Sequence, residues 1–501
     1  MSMSIFYRKR ASNPYTKESV TEALKTLVGE GSTRRDRYLR RFQRSPNAWP
    51  ALDEILADVE AQPMHVLLFA ATTIRSKIKR EAHTMPVERI LQLKSGLTQC
   101  LQEAALLPAG RPLIIQLGLC LIDLGLHFAS WSYELAELSE KMVSENRPEH
   151  IRVFLELLQL LPEEAREYVV NVSPTRENFI ERRLWVQAPH VVTLMGQLMG
   201  YQSIGLEGEK QCLKVCAAWT RFGYMDAEDL INSRVILRAH LILLHEEEEL
   251  HAEASDLVVA LLESASIAND LELEVFEMGS GLEDKFLGAV AQDKKALVAN
   301  YVAVFLQLAA TTYTVTQGAK TLVAEDRRRR VFGLLLHVAR YCEWYPVEQT
   351  LNLWRKLLQE PHVAAFEPLV QDLMRILFDR IQLRDSHQDS GLRRSSRFGL
   401  FRQRVADILK AMAPQVPPAV MDALLATAQN PASPWMQVEA AVFFLTHFIG
   451  SFAHLKTSLY ERLLAILSQR PQPVFRRVER RLQKGLKKQA TVGGEVNCSS
   501  C

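Results

Sequence analysis

Apolar residues recur at i, i+3, i+4 and i+7 in nearly every window of this chain, and the resulting helical stripes come in pairs about every 40 residues. Trp49, Leu52, Leu56 and Val59 form one stripe; Val66, Phe69, Ala70, Thr73 and Ile74 form the next, with Pro63 marking the break between them. The pattern returns over Val87–Leu107 and Leu113–Phe128, separated by Pro108–Pro112, and again across Asn146-Arg147-Pro148. Alternation with a period of two is nearly absent. The fold class this predicts is all-α, a right-handed α-solenoid of HEAT-type helical hairpins in which each pair buries its stripe against its neighbours. At 501 residues there is room for about 11 or 12 such pairs. A set of unrelated helical bundles is the alternative.

Composition removes several function classes. Lys and Arg number 60 against 58 Asp and Glu, so the net charge is +2 and no bulk field draws nucleic acid or anionic lipid; any electrostatic partner has to be read from local segregation. The seven Cys are few, odd in number and mostly set in apolar helical contexts, as expected of free buried thiols in a reducing compartment. The opening MSMSIFYRKRASNP has no apolar core of a signal peptide. Pro112–Phe128 is broken by Gln116, Asp123 and His127 and falls short of the roughly 18 clean apolar residues of a membrane span. The expectation is a soluble intracellular protein with no membrane partner.

Catalytic signatures are missing: there is no GxxxxGK[ST] loop, no strand-borne GxGxxG and no GxSxG elbow. His245 and His251 are six apart instead of four, so they point to different faces of a helix and make a poor metal pair. Cys212 and Cys216 share a face, but no second Cys or His pair lies nearby, and they read as buried thiols. His127 and His337 lie on apolar faces and read as packing. The chain is expected to be no enzyme, with no catalytic residue, no metal and no cofactor.

Charge segregation carries more. Ala239–Asp284 holds 13 acidic residues and no Lys or Arg; Glu246, Glu247, Glu248, Glu249, Glu253 and Asp256 are its candidate partner-binding surface, placed on helices. The first 44 residues hold 11 Lys and Arg against four acids, Arg327–Arg330 is a basic run, and Arg470–Lys488 carries eight basic residues against Glu479 alone. Arg476, Arg477, Arg480 and Arg481 are basic-surface candidates. Aromatic residues interleave them poorly, so nucleic acid is a weaker expectation than a charged protein.

Two segments, FQRSPNAWPALDEIL (Phe42–Leu56) and FAATTIRSKIK (Phe69–Lys79), resemble the N-terminal domain of importin-β nuclear transport receptors. Later segments are similar to the transportin-SR branch and its fungal members: IIQLGLCLIDLGLHFASW (Ile114–Trp131), LLPEEARE (Leu160–Glu167), AAWTRFGYMD (Ala217–Asp226), HAEASDLVVALL (His251–Leu262), FRQRVADILK (Phe401–Lys410) and SPWMQVEAAVFFL (Ser433–Leu445). The resemblance covers about Thr16 to Leu467. It implies a receptor that binds GTP-loaded Ran through its N-terminal repeats, carries protein cargo of the Ser/Arg-rich splicing-factor kind, meets nuclear pore proteins and shuttles between nucleus and cytoplasm. By the same resemblance Thr72, Arg75, Lys77 and Lys79 lie on or beside the Ran-binding helix. Trp49 and Phe69 read as fillers between successive repeats, and Ala70 and Ala71 as residues that let two helices approach closely.

The expected plan is a flexible basic start over 1–15, importin-β-like repeats over 16–130, further HEAT-like repeats over 131–467 with a polar loop near 386–397, a basic helix over 468–489 and a loose tail over 490–501. Relatives continue where this sequence stops, and the arginine-rich helix that holds phosphorylated Ser/Arg tracts in the transportin-SR branch has no visible counterpart here. Two other readings stay open: a helical scaffold independent of Ran or a non-functional fragment, and an RNA-binding α-solenoid.

Overall fold

In a computed structural model the chain is described over residues 15–30, 33–127, 134–143, 147–169, 172–200, 204–264, 272–317, 321–360, 362–383, 396–448 and 456–469, with 479, 482 and 483. Among these residues there is helix and no strand. Two compact units divide the chain, Met1–Glu272 and Leu273–Cys501.

In the first unit the helices follow as α1 (Lys17–Glu30), α2 (Thr33–Arg44), α3 (Trp49–Leu56), α4 (Met64–Glu81), α5 (Val87–Ala105), α6 (Arg111–His127), α7 (Glu134–Val143), α8 (Pro148–Val169), α9 (Pro174–Met199), α10 (Gly205–Arg221), α11 (Ala227–Asn232), α12 (Val235–His245) and α13 (His251–Glu263). Pro63 precedes α4 and Pro148 opens α8, where the sequence places breaks, and Pro86 precedes α5. Asp226 caps α11 by accepting from the Asp229 amide. Successive hairpins stack so that α2, α4, α6, α8, α10 and α13 form one continuous row. Leu52, Leu56, Val66, Ala70, Thr73 and Ile74 are buried, as the stripes require, and Val59 is buried in the turn just after α3.

The second unit begins with α14 (Glu272–Ser280), whose first residue sits at the boundary, and continues through α15 (Glu283–Ala291), α16 (Lys295–Val315), α17 (Leu322–Tyr341), α18 (Trp344–Leu358), α19 (Glu367–Arg380), α20 (Arg397–Met412), α21 (Pro418–Gln429), α22 (Trp435–Phe448) and α23 (Lys456–Ser468). Two rows form here as well, α16 with α18 and α20, and α17 with α19 and α22. The sequence points to Pro112–Phe128 as the most apolar stretch, yet α16 is the one described helix long and apolar enough to cross a membrane. Its Tyr301, Val304, Phe305 and Leu308 are buried, and it packs on α15, α17 and α18 as a core helix.

Candidate functional site

The row α2–α4–α6–α8 carries the residues singled out for an N-terminal partner. On α4, Thr72 is exposed and its hydroxyl donates to the Leu68 carbonyl. Arg75 reaches across two neighbouring helices: its Nε donates to Asp123 on α6 at 2.8 Å, and its other nitrogen donates to Glu164 on α8. Lys79 stands 3.5 Å from the same Asp123 and remains 46% exposed. Burial pushes the Asp123 carboxyl above its ordinary value, against the pull of Arg75 and Lys79. Thr72 and Lys79 therefore face outward, while Arg75 is committed to bracing three repeats.

Lys77 departs from expectation. Its side chain is fully buried, and its ammonium donates to the Ser45 carbonyl at 2.9 Å and to Glu81 at 2.8 Å. No protein surface can reach it. Trp49, expected as a space filler, is half-buried in the same cluster: its indole N–H donates to Glu81 at 3.0 Å, and Lys77 and Arg89 stand 5.1 and 5.4 Å from its ring. Burial opposes the charge on Glu81, but the bonds from Lys77 and Trp49 hold its carboxyl below the ordinary range. Phe69 is half-buried and stacks on Phe42 with ring centroids 6.1 Å apart. Ala70 and Ala71 are fully buried, and the close approach they permit lets Cys120 of α6 donate to the Ala71 carbonyl at 3.3 Å.

The acidic stretch is corrected in two ways. Glu246–Glu249 lie in the turn between α12 and α13 and not on a helix, with Glu246 in the left-handed region at φ 55°. Much of the charge is also spent inside the unit. Arg238 grips Glu247 with two bonds of 2.7 and 2.9 Å and Glu209 with one of 2.6 Å. Lys214 of α10 stands 3.4 Å from Glu253, and Arg221 of α10 bonds both Asp256 and Glu263 of α13. Glu248 and Glu249 remain exposed. The Arg327–Arg330 run behaves alike: Arg328 is buried against Glu360 at 2.7 Å, and Arg330 forms a fork onto Glu277 of α14.

Arg476, Arg477, Arg480 and Arg481 lie outside the described residues, as do residues 1–14, most of the 386–397 segment and the 490–501 tail. No cluster of metal-binding residues occurs among the described ones. Cys212 and Cys216 are fully buried, and burial pushes the Cys212 thiol up to about 12 and the Cys216 thiol well above its ordinary value, which leaves them inert near neutrality.

Sequence reasoning counted the first 44 residues as basic but named none of the arginines of α2 as a site. Arg34, Arg35, Arg37, Arg40, Arg41 and Arg44 are all exposed, and only Arg40 has a carboxylate partner, Asp36 at 2.9 Å. The signal was present in the run TRRDRYLRRFQR, in which buried Leu39 and Phe42 fix the inward face and leave the arginines outside.

A row of stacked hairpins braced by charged side chains defines a helical-repeat protein. Two family models match consecutive stretches of it: Importin-beta N-terminal domain over residues 36–103, from within α2 to α5, and Exportin 1-like protein over residues 111–258, from α6 into α13. The chain is similar to Transportin MOS14 of Arabidopsis thaliana, 22% identical over 485 residues covering 87% of this chain and 48% of that protein. It is also similar to the mRNA transport regulator MTR10 of Saccharomyces cerevisiae, 30% identical over 150 residues covering 29% of this chain and 14% of that protein. Its fold matches a solved structure described as importin13 in its cytosolic state, with a TM-score of 0.57 at 15% identity over 81% of this chain and 49% of that one. Residues 36–103 and 111–258 thus match models of the importin-β superfamily, whose members are transport receptors and not enzymes, and the chain is similar to relatives of the transportin type. It spans about half the length of the Arabidopsis relative.

Proposed function

We propose that this chain is a nuclear import receptor that binds GTP-loaded Ran through the α2–α4–α6–α8 row and releases protein cargo when Ran arrives. The observation that carries the reading is the match of the importin-β N-terminal domain to residues 36–103, the stretch that holds the exposed Thr72 and Lys79. Arg75, Asp123 and Glu164 tie α4, α6 and α8 together, so a partner pressing on α4 is felt two repeats away. Such coupling is typically worth about 1–3 kcal/mol. Cargo of the Ser/Arg-rich class, nuclear pore proteins and shuttling between nucleus and cytoplasm belong to the same reading, through the transportin-type relatives.

The test is binding of the purified chain to Ran loaded with a non-hydrolysable GTP analogue and, at the same salt, to Ran·GDP. Strong preference for the GTP form is expected, weakened by Thr72→Arg on the open face of α4. Equal or absent binding overturns the proposal.

A further inference from the structure

Five of the six arginines of α2 have no ion-pair partner among the described residues. Leu39 and Phe42 seat the helix, while Arg34, Arg37, Arg41 and Arg44 fall within about 80° of one another on the opposite side. Their spacing of three, four and three residues makes a strip about 15 Å long. Neighbours on such a strip repel, at about 0.2–0.5 kcal/mol per like-charge pair on a helix. The helix dipole offsets this for Arg41 and Arg44 in the last turn and worsens it for Arg34 in the first. None of Arg34, Arg35, Arg37, Arg41 and Arg44 has an ion-pair partner among the described residues, whereas Arg75, Arg221, Arg238, Arg328 and Arg330 are all matched. The strip also extends onto α4, where Arg80 is exposed and bonds only the Ser76 and Gln43 carbonyls.

We infer that the arginine strip of α2 is a docking surface for an acidic, Asp/Glu-rich segment of a protein partner. The residue type fits: six Arg and no Lys present planar forks that take carboxylates two bonds at a time. The width fits as well, because α1 beside it exposes Glu18 and Glu22 together with Lys25, with Lys17 half-buried, which confines the positive field to one helix. A strip this narrow suits a single polypeptide strand or helix. Carboxylates three and four residues apart on a partner helix would repeat at the pitch of the arginines. Single-stranded nucleic acid would gain its sequence-tolerant affinity by stacking bases on aromatic rings. The strip offers none: Tyr38, on the inner side of α2, has its hydroxyl on Ser19 and its ring against Tyr15. A lipid bilayer needs an apolar face to enter, and that face of α2 is buried in the fold.

The strip lies on α2, the first helix of the row proposed for Ran, and its carboxylate occupant is tested apart from the Ran reading. Its test measures anisotropy of a labelled Glu-rich 14-residue peptide on the full chain, beside the same peptide with every Glu replaced by Gln and a labelled oligouridylate of equal charge. The Glu peptide is expected to bind, to weaken as salt rises, and to lose at least about tenfold in affinity when Arg37, Arg41 and Arg44 are changed to Glu. Neutral changes of the three to Gln, which suits an exposed helix, are expected to lose an intermediate amount with the helical circular dichroism unchanged. Indifference of the peptide to either triple change overturns the proposal, as does tighter binding of oligouridylate through the same residues. Because the preference for GTP-loaded Ran is measured separately, failure of one reading is distinguishable from failure of the other.

Discussion

The two units use the same chemical pair for different ends. In Met1–Glu272 the arginines that cross between helices stay at the surface: Arg75 is 21% exposed beside Asp123, and Arg221 is 38% exposed between Asp256 and Glu263. In Leu273–Cys501 one such pair goes inside, although Arg330 and Glu277 of the same unit stay 43% and 53% exposed. Arg402 of α20 and Glu439 of α22 are 6% and 2% exposed, joined by two bonds of 2.9 and 2.6 Å, with the guanidinium 4.3 Å from the Phe443 ring and a further bond to the Ile381 carbonyl. Exposed pairs are worth about 0–1 kcal/mol and can shift at little cost. Breaking a buried one leaves an uncompensated charge and costs about 3–5 kcal/mol. The α10–α13 brace of the first unit thus permits small shifts between repeats, whereas the α20–α22 brace of the second is locked.

The largest expected effect tests the lock. Glu439→Ala should destabilise the second unit by about 3–5 kcal/mol, seen as lost hydrogen-exchange protection in α20 and α22. Replacing both partners, Arg402→Met with Glu439→Leu, should recover most of that protection. A mild Glu439→Ala phenotype would show that the Arg402 charge finds water and that the two units differ less than their geometry suggests.

Acid should act on the first unit through His251, fully buried at the start of α13. Burial pushes its imidazole down to about 4, although Glu246 and Glu248 pull the other way. Above the ordinary value near 6.5 neither folded nor unfolded chain holds the proton, so nothing changes. Between 6.5 and about 4 the unfolded chain takes it and the folded one does not, and stability falls as pH falls, by about 2–3 kcal/mol in all. Unfolding of α13 followed from pH 7 to pH 4 should show this slope, and His251→Gln should flatten it.

How much of this could be read from the amino-acid order differs between packing and pairing. Pro63 and Pro148 stand at helix starts where the sequence places breaks, whereas Pro162 and Pro189 lie inside α8 and α9, so a proline marks a break only where the apolar stripe also ends. The acidic run Glu246–Glu249 and the basic run Arg327–Arg330 misled because a linear charge count cannot see a neighbour one repeat away. Lys214 to Glu253, Arg221 to Asp256 and Arg402 to Glu439 are 39, 35 and 37 residues apart, close to the repeat period itself. Opposite charges at one-period separation are the signal that would have exposed these braces in advance. Lys77 was missed for another reason: its partners, Ser45 and Glu81, are ordinary turn and helix-end residues until Trp49 folds over them. The fold was legible in periodicity, but the occupancy of its charged groups was not.

Arg75 sits between the two regimes, since its partner Asp123 is 2% exposed and its own side chain is not. Arg75→Ala leaves that carboxyl with Lys79 at 3.5 Å. Loss of a charged bond to a buried group should cost about 1–3 kcal/mol. Because burial already raises the Asp123 value, removal of Arg75 should raise it further, so the variant should lose less stability at pH 5 than at pH 8. Equal losses at both would mean that Lys79 swings in to replace the guanidinium.

The smallest effect belongs to Arg221, and it separates bracing from flexing. Arg221→Ala removes two half-exposed pairs between α10 and α13 and should cost at most about 1 kcal/mol in unfolding experiments, fading with salt. The packing beneath it is untouched, because Trp219 stays buried with its indole on the Leu158 carbonyl at 2.8 Å. If the surface pairs merely hold α10 against α13, the variant should bind GTP-loaded Ran as the parent chain does. If they transmit shifts along the row, the release of preloaded cargo by Ran should weaken severalfold while affinity for Ran alone stays within about twofold. That split, measured on one variant, distinguishes a row whose ion pairs are passive clamps from one whose ion pairs carry the coupling.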